Sequence, residues 1–358
     1  MNYRLLVINP GSTSTKLAIF DDLEERLAEN ISHSPEELAP FEGVIDQLDY
    51  RFEKVKDFLN RNRYSLDQFT AIAARGGLLR PIPSGTYLVN EEMTYDLRSE
   101  RFGSHAANLG ALIANRLATE TNIPAYIVDP VVVDELAPVA RITGHPEMKR
   151  VSIFHALNQK AVAKRLAKGL NTPYENLNLI VAHMGGGISV GCHTNGKVIE
   201  VNNTLNGEGP FSPERIGTVQ SERFVELIRE KNWTPAEVAK TIAGKGGVYA
   251  HLGTTDMRDV EKLIAEGNET AELVFNAMIY QISRAIAAAA VAVQGKIDHI
   301  ILTGGIAHSK ALTKKIEESV CFIAPIVIMP GENELQALAE GVERVLSGQE
   351  NALEYRNS

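Results

Sequence analysis

The chain has 358 residues, enough for two domains of ordinary size, and the mixed composition of a water-soluble folded protein. A formal charge of −9 without any cluster of lysines and arginines argues against nucleic acid or an anionic membrane as partner, while leaving room for a small anion bound locally. Only Cys192 and Cys321 are present, far apart and outside any ligand spacing; this indicates neither a disulfide framework nor a zinc site and fits a cytoplasmic location.

The first element is a hairpin. Leu5–Ile8 and Leu17–Phe20 are apolar runs of strand length, and the loop between them, Asn9-Pro10-Gly11-Ser12-Thr13-Ser14-Thr15-Lys16, opens with proline-glycine turn chemistry. Its hydroxyls, amide and lysine are donors suited to phosphate oxygens, although a polar hairpin tip would look similar. Asp21 to Pro40 is acidic and turn-rich and reads as a solvated connection. Val44, Leu48, Phe52, Val55 and Leu59 then recur at helical spacing. Phe69 to Ala74 reads as a strand running into Arg75-Gly76-Gly77, where a glycine pair would admit a ligand and an arginine could grip an anion, or simply face water before a turn.

A helix over 103–118 precedes the short strand Ala125–Val128, which ends in Asp129-Pro130. A carboxylate at the C-terminal end of such a strand lies where α/β proteins meet their ligands, though a turn or capping role fits as well. Val131–Val133 is an apolar wall or core. Ser152 to Lys168 reads as a helix with His155 in its first turn, placed to face a phosphate or to serve structure.

Two more units repeat the strand-and-glycine pattern. His183-Met184-Gly185-Gly186-Gly187 joins a strand at Asn178–Ala182 to one starting at Ile188, and Ile300–Thr303 runs into Gly304-Gly305-Ile306. Neither is a Walker loop or a dinucleotide fingerprint. Three such units point to a duplicated fold with phosphate loops. Thr234-Pro235-Ala236-Glu237 has capping-box spacing, and Thr255 to Asp259 opens a further helix. The alanine-rich run Ala285–Val293 reads as part of a buried helix, too short to span a bilayer. Ile323–Met329 is a strand, and Glu332 and Glu334 precede the closing helix, where they would bind Mg²⁺ or favour the helix start.

In their joint order, Asn9–Lys16, Ala73–Gly77, Val128-Asp129, Ile153–His155, His183–Gly187, Glu208-Gly209 with Arg215, Asp256–Arg258, Thr303–Ile306 and Glu332–Leu335 resemble the acetate/butyrate kinase family over nearly the whole chain. In the versions Asn-Pro-Gly-Ser-Thr-Ser-Thr-Lys, Ala-Arg-Gly-Gly-Leu-Leu-Arg-Pro and His-Met-Gly-Gly-Gly-Ile-Ser-Val-Gly the chain most resembles the butyrate branch of that family.

The resemblance implies an α/β protein of two duplicated, ribonuclease H-like domains of the actin-like ATPase fold, each with a mixed five-stranded sheet flanked by helices, and an interdomain cleft holding ATP. The first domain would comprise 1–151 plus about 335–358 and the second 152–334. It implies reversible, ATP-dependent, in-line phosphorylation of a short carboxylic acid, butyrate or isobutyrate, to an acyl phosphate and ADP. Acetate or propionate kinase, a sugar kinase and a nucleotide-switched protein are the alternatives.

By motif position, Arg215, Asp129, His155 and Arg75 would be catalytic. Asn9, Ser12, Ser14, Lys16, His183, Gly185, Gly186 and Gly187 would approach the phosphates, and Asp256, Met257, Arg258, Gly304, Gly305 and Ile306 the adenosine. Glu334 or Glu332 would contact Mg²⁺. Two departures stand out: Ile72 occupies the place of a family arginine, leaving Arg75 to take over its anion contact, and Asn333-Glu334 replaces a Glu-Glu pair. The family also implies a homodimer or larger homo-oligomer.

Overall fold

The computed structural model describes residues 3–356 and divides the chain into two compact units, Met1–Val133 with Asn333–Ser358, and Asp134–Glu332. The sequence boundary was expected at 151; residues 134–151 group with the second unit.

In the first unit, β1 (Arg4–Pro10), β2 (Ser14–Asp21) and β3 (Glu24–Ser32) form an antiparallel meander, and β4 (Ala71–Arg75) and β6 (Ala125–Val128) extend it in parallel from β1. The sheet has seven strands rather than five, because β5 (Thr86–Leu88) pairs antiparallel with β6 and the two-residue strand Leu353–Glu354 pairs with β5. Leu5–Ile8 and Leu17–Phe20 are completely buried, so the hairpin is the spine of this core. The segment expected to be a solvated connection contains β3: only Leu27, Glu29 and Ile31 are partly covered, the alternation of an edge strand. The helix Leu48–Arg61 buries Leu48, Phe52, Val55, Phe58 and Leu59, and the helix expected over 103–118 runs over Asn108–Thr121. Val132 and Val133 are core.

The second unit holds β7 (Leu179–Met184), β8 (Ile188–Thr194), β9 (Lys197–Val201), β10 (His299–Gly304) and β11 (Ile326–Pro330) in the order β11-β10-β7-β8-β9. Its antiparallel meander followed by two parallel strands repeats the β3-β2-β1-β4-β6 order of the first unit, which is the expected duplication. The helix on its sheet, Glu269–Ala290, continues as a tighter turn to Val293; the alanine run is the last part of this longer helix, which as a whole, by length and composition, is long and apolar enough to cross a membrane. Val274, Met278, Ile282 and Ile286 on one face are buried in the core, which accounts for much of that apolar character.

Candidate active site

In the first unit, β1 and β2 place Asn9 opposite Lys16, and the tip between them leaves Ser12 and Thr13 exposed. Arg75, at the end of β4, forms an ion pair with Glu334 at the first turn of the closing helix, and Asn9 Nδ2 donates to the other oxygen of Glu334 at 2.7 Å. Burial pushes the Glu334 carboxyl up, but Arg75, Asn9 and Lys16 outweigh it and hold the carboxyl below its usual value. Asn9, Lys16, Arg75 and Glu334 are thus one cluster.

Asp129 directly follows β6 with φ +37°, a left-handed conformation unusual for aspartate, and is buried. Its Oδ1 accepts from Ser84 Oγ at 2.6 Å and the Gly85 amide at 2.8 Å, contacts the sequence did not reveal. The glycine pair after Arg75 serves packing: a Cβ on Gly77 would lie 2.5 Å from the Asn108 Cα, so the glycine lets the helix Asn108–Thr121 approach.

In the second unit, His155 caps the helix Ala156–Gly169 rather than lying in its first turn, and its ring stacks on that of His183 from β7 with centroids 3.8 Å apart. Two adjacent amides of this helix orient the pair. Asn158 Nδ2 donates to the Glu332 carbonyl at 2.9 Å, so its Oδ1 faces His183 Nδ1 at 2.7 Å and that nitrogen carries a proton. Gln159 donates to the carbonyl and hydroxyl of Ser189, and that hydroxyl lies 2.9 Å from His155 Nδ1. Gln159 Oε1 accepts from His193 Nε2, and His193 Nδ1 accepts from Tyr174. Burial, with Lys160 nearby, keeps His193 neutral. Nothing in the sequence singled out Asn158, Gln159, Tyr174 or His193.

The glycine loop is shaped for Arg215. A Cβ on Gly187 would lie 2.1 Å from the Arg215 guanidinium, and only glycine leaves that space. Arg215 donates to the Thr204 carbonyl at 2.8 Å, while its Nε is buried and makes no hydrogen bond among the described residues. Burial pushes the guanidinium below its ordinary value, and Glu214 partly opposes this. Ser212 links the Arg215 amide to the Gly186 carbonyl, tying the two loops together.

A cavity of about 780 Å³ in the same unit is lined by Gly185, Gly186, Asp256, Met257, Arg258, Gly305, Ile306 and Glu332, together with Pro213, Glu261, His308 and Ser309. Eight positions singled out from sequence converge there. Asp256 caps the helix Met257–Ala265, and the Arg258 guanidinium pulls its carboxyl down to about 2. Gly304, at φ +87°, passes so close to Met184 that a Cβ would lie 2.4 Å from its carbonyl; Gly305 faces open space.

Glu332 and Glu334 part company, the first in the cavity of the second unit and the second against Arg75 in the first. Among the described residues, no group of three or more His, Cys, Asp or Glu side chains is arranged to hold a metal. The single, partly exposed Glu332 carboxylate fits a Mg²⁺ ion carried mainly by phosphates and water, whereas the oxygens of Glu334 are already taken by Arg75 and Asn9.

A model of the acetokinase family matches residues 147–350. The chain is 51% identical to butyrate kinase 2 of Clostridium acetobutylicum over 356 residues, covering 99% of this chain and all of that one. Among solved structures, Porphyromonas gingivalis acetate kinase superposes with a TM-score of 0.75 at 19% identity, covering 95% of this chain and 99% of the other. A propionate kinase from Francisella tularensis subsp. tularensis superposes with a TM-score of 0.74 at 19% identity, covering 94% and 98%. These structural matches establish the actin-like ATPase fold.

Proposed function

The chain belongs to the acetokinase family, and on that premise we propose that it is a butyrate kinase: an ATP-dependent phosphotransferase that converts butyrate or isobutyrate to the acyl phosphate and ADP, reversibly. The observation that carries this reading is Arg215, a partly buried guanidinium with a buried, unbonded Nε, set against a glycine that only just accommodates it. A carboxylate is already ionised at neutral pH, with an unperturbed pKa near ~4, so the reaction needs no general base. It needs positive charge and donors around a phosphoryl group that carries charge on three oxygens.

Arg215 and the His155–His183 pair would stabilise those oxygens. The cavity at Asp256, Met257, Arg258, Gly305 and Ile306 would hold the adenosine, and Gly185–Gly187 would lie along its phosphates. Asn9, Ser12, Ser14, Lys16 and Arg75 would face the carboxylate and the transferred phosphate, and Asp129 would orient the acceptor. Mg²⁺ neutralises nucleotide phosphates when bound, and Glu332 would hold it.

We place the enzyme in the cytoplasm, in keeping with its two free cysteines. It would work as a homodimer: Leu273, Tyr280 and Val291 form an exposed apolar stripe on the outer face of the helix Glu269–Ala290 and its continuation, beside exposed Val139. Light scattering should give the dimer mass, and Tyr280→Glu should give the monomer.

The test of the reaction is incubation with Mg-ATP and straight and branched acids of two to six carbons, trapping acyl phosphate with hydroxylamine. The expected maximum is at four carbons. Since one buried methylene is worth about 0.8 kcal/mol, acetate should be roughly tenfold poorer; a maximum at acetate would keep the chemistry and overturn the substrate.

A further inference from the structure

Among the described residues Arg51 is the largest side chain that is completely buried, and it sits directly behind the hairpin Asn9–Lys16. Its terminal nitrogens donate to the carbonyls of Gly11 at 2.7 Å, Ser12 at 3.0 Å and Ser14 at 3.0 Å, and to Thr15 Oγ1 at 3.2 Å. Its Nε and the second terminal nitrogen donate to Gln47 Oε1 at 3.0 and 2.8 Å. Every one of these acceptors is neutral. No carboxylate lies within ion-pair distance of Arg51 among the described residues, and its aromatic neighbour His33 stays neutral, held down to about 4 by burial and by Arg51 itself.

An isolated charge in a protein interior is costly, and an arginine cannot escape that cost by losing its proton. Buried guanidinium groups are ordinarily matched by a carboxylate. Here the position such an acid would fill is taken by Gln47, which satisfies hydrogen bonds and leaves the charge intact. The same fork draws three loop carbonyls inward, away from the tip where Ser12 and Thr13 are exposed, which removes their negative ends from the path of an incoming anion.

We propose that Arg51 is the fixed counter-charge of the phosphate hairpin: its positive charge, left unmatched inside the protein, is matched by the phosphate that binds at the tip. Arg51 touches no substrate and is a positioning residue. The inference rests on the proposed reading of the hairpin as a phosphate site and adds to it the source of its charge, which acts through the loop at the reduced dielectric of the interior.

The test is Gln47→Glu, which places a carboxylate against Arg51 without changing side-chain size, paired with Gln47→Leu, which removes the same hydrogen bonds without adding charge. Thermal unfolding of the ligand-free protein is compared with affinity for inorganic phosphate by calorimetry and with KM for butyryl phosphate. Gln47→Glu should raise the melting temperature and yet weaken phosphate and raise that KM by about tenfold. Gln47→Leu should lower the melting temperature and leave phosphate affinity within about twofold. Affinity that rises and falls with stability in the two variants would mean that Arg51 merely holds the loop, and the proposal fails. Absence of phosphate binding by the wild-type protein also overturns it. If the wild-type protein traps no hydroxamate with any acid while phosphate affinity still falls in Gln47→Glu, the kinase reading fails and the counter-charge stands.

Discussion

The rings of His155 and His183 lie face to face, 3.8 Å apart and 12° from parallel, and each is oriented by a different amide of one helix, Asn158 for His183 and Gln159, through Ser189, for His155. Because Asn158 fixes the proton on His183 Nδ1, its Asn158→Leu variant should redistribute the His183 tautomers, read directly from ¹⁵N imidazole shifts. His155→Ala should lower kcat by about a hundredfold with little change in KM, the loss of one donor to developing charge.

Arg215→Ala should lower kcat by about 10³-fold or more while the protein remains folded. Gly187→Ala probes the same guanidinium from the other side. The added methyl displaces it by clashing at 2.1 Å, and misplacement on the scale of an ångström costs about a hundredfold in rate. Wild-type turnover in folded Arg215→Ala would remove Arg215 from the chemistry.

Gly305 opens on the cavity proposed to hold the nucleotide, with nothing near its absent Cβ. Gly305→Leu should fill that space and raise KM for ATP at least tenfold, about 1.4 kcal/mol, with the melting temperature and KM for butyrate little changed. An equal rise in both KM values would mean that the cavity does not hold the nucleotide.

His33, buried between Thr15 Oγ1 at 2.8 Å and the Tyr50 hydroxyl at 3.1 Å, titrates near 4 because burial, Arg51 and Lys54 disfavour its charged form. The unfolded chain therefore takes up this proton first as pH falls. The resulting stability is complete above about 6.5 and is lost progressively between there and about 4. His33→Gln should flatten that part of the stability–pH curve, measured by urea unfolding. Glu334 acts lower on the scale: its folded carboxyl lies below the usual value of 4.5, so its contribution is present above 4.5 and disappears as pH drops through the folded value. Glu334→Gln should cost about 2 kcal/mol at neutral pH through the loss of charged hydrogen bonds to Arg75 and Asn9.

The hairpins were legible because strand-length apolar runs closed by glycine turns leave few other conformations, and both repeat in matching sheet orders. The cavity residues were legible only jointly, since Asp256, Gly305 and Glu332 each look like ordinary turn or cap residues. Edge strand β3 was not: Glu24 to Ser32 carries no apolar run, and its pairing is set by β2, a tertiary partner. Arg51 left a signal that went unused. It stands three residues after Leu48 and one before Phe52, on the inward face of its helix, where an arginine needs a reason. Gly77 was legible as a special position but not in its purpose, because the Asn108 backbone it accommodates arrives from thirty-one residues later in the chain.

The most direct measurement of the central claim is ³¹P NMR of the purified protein with Mg-ATP and butyrate, with glucose as the alternative acceptor. An acyl phosphate resonance that grows with ADP, requires butyrate and is absent with glucose is the predicted result. ATP consumption that ignores butyrate, or a sugar phosphate formed from glucose, would contradict it.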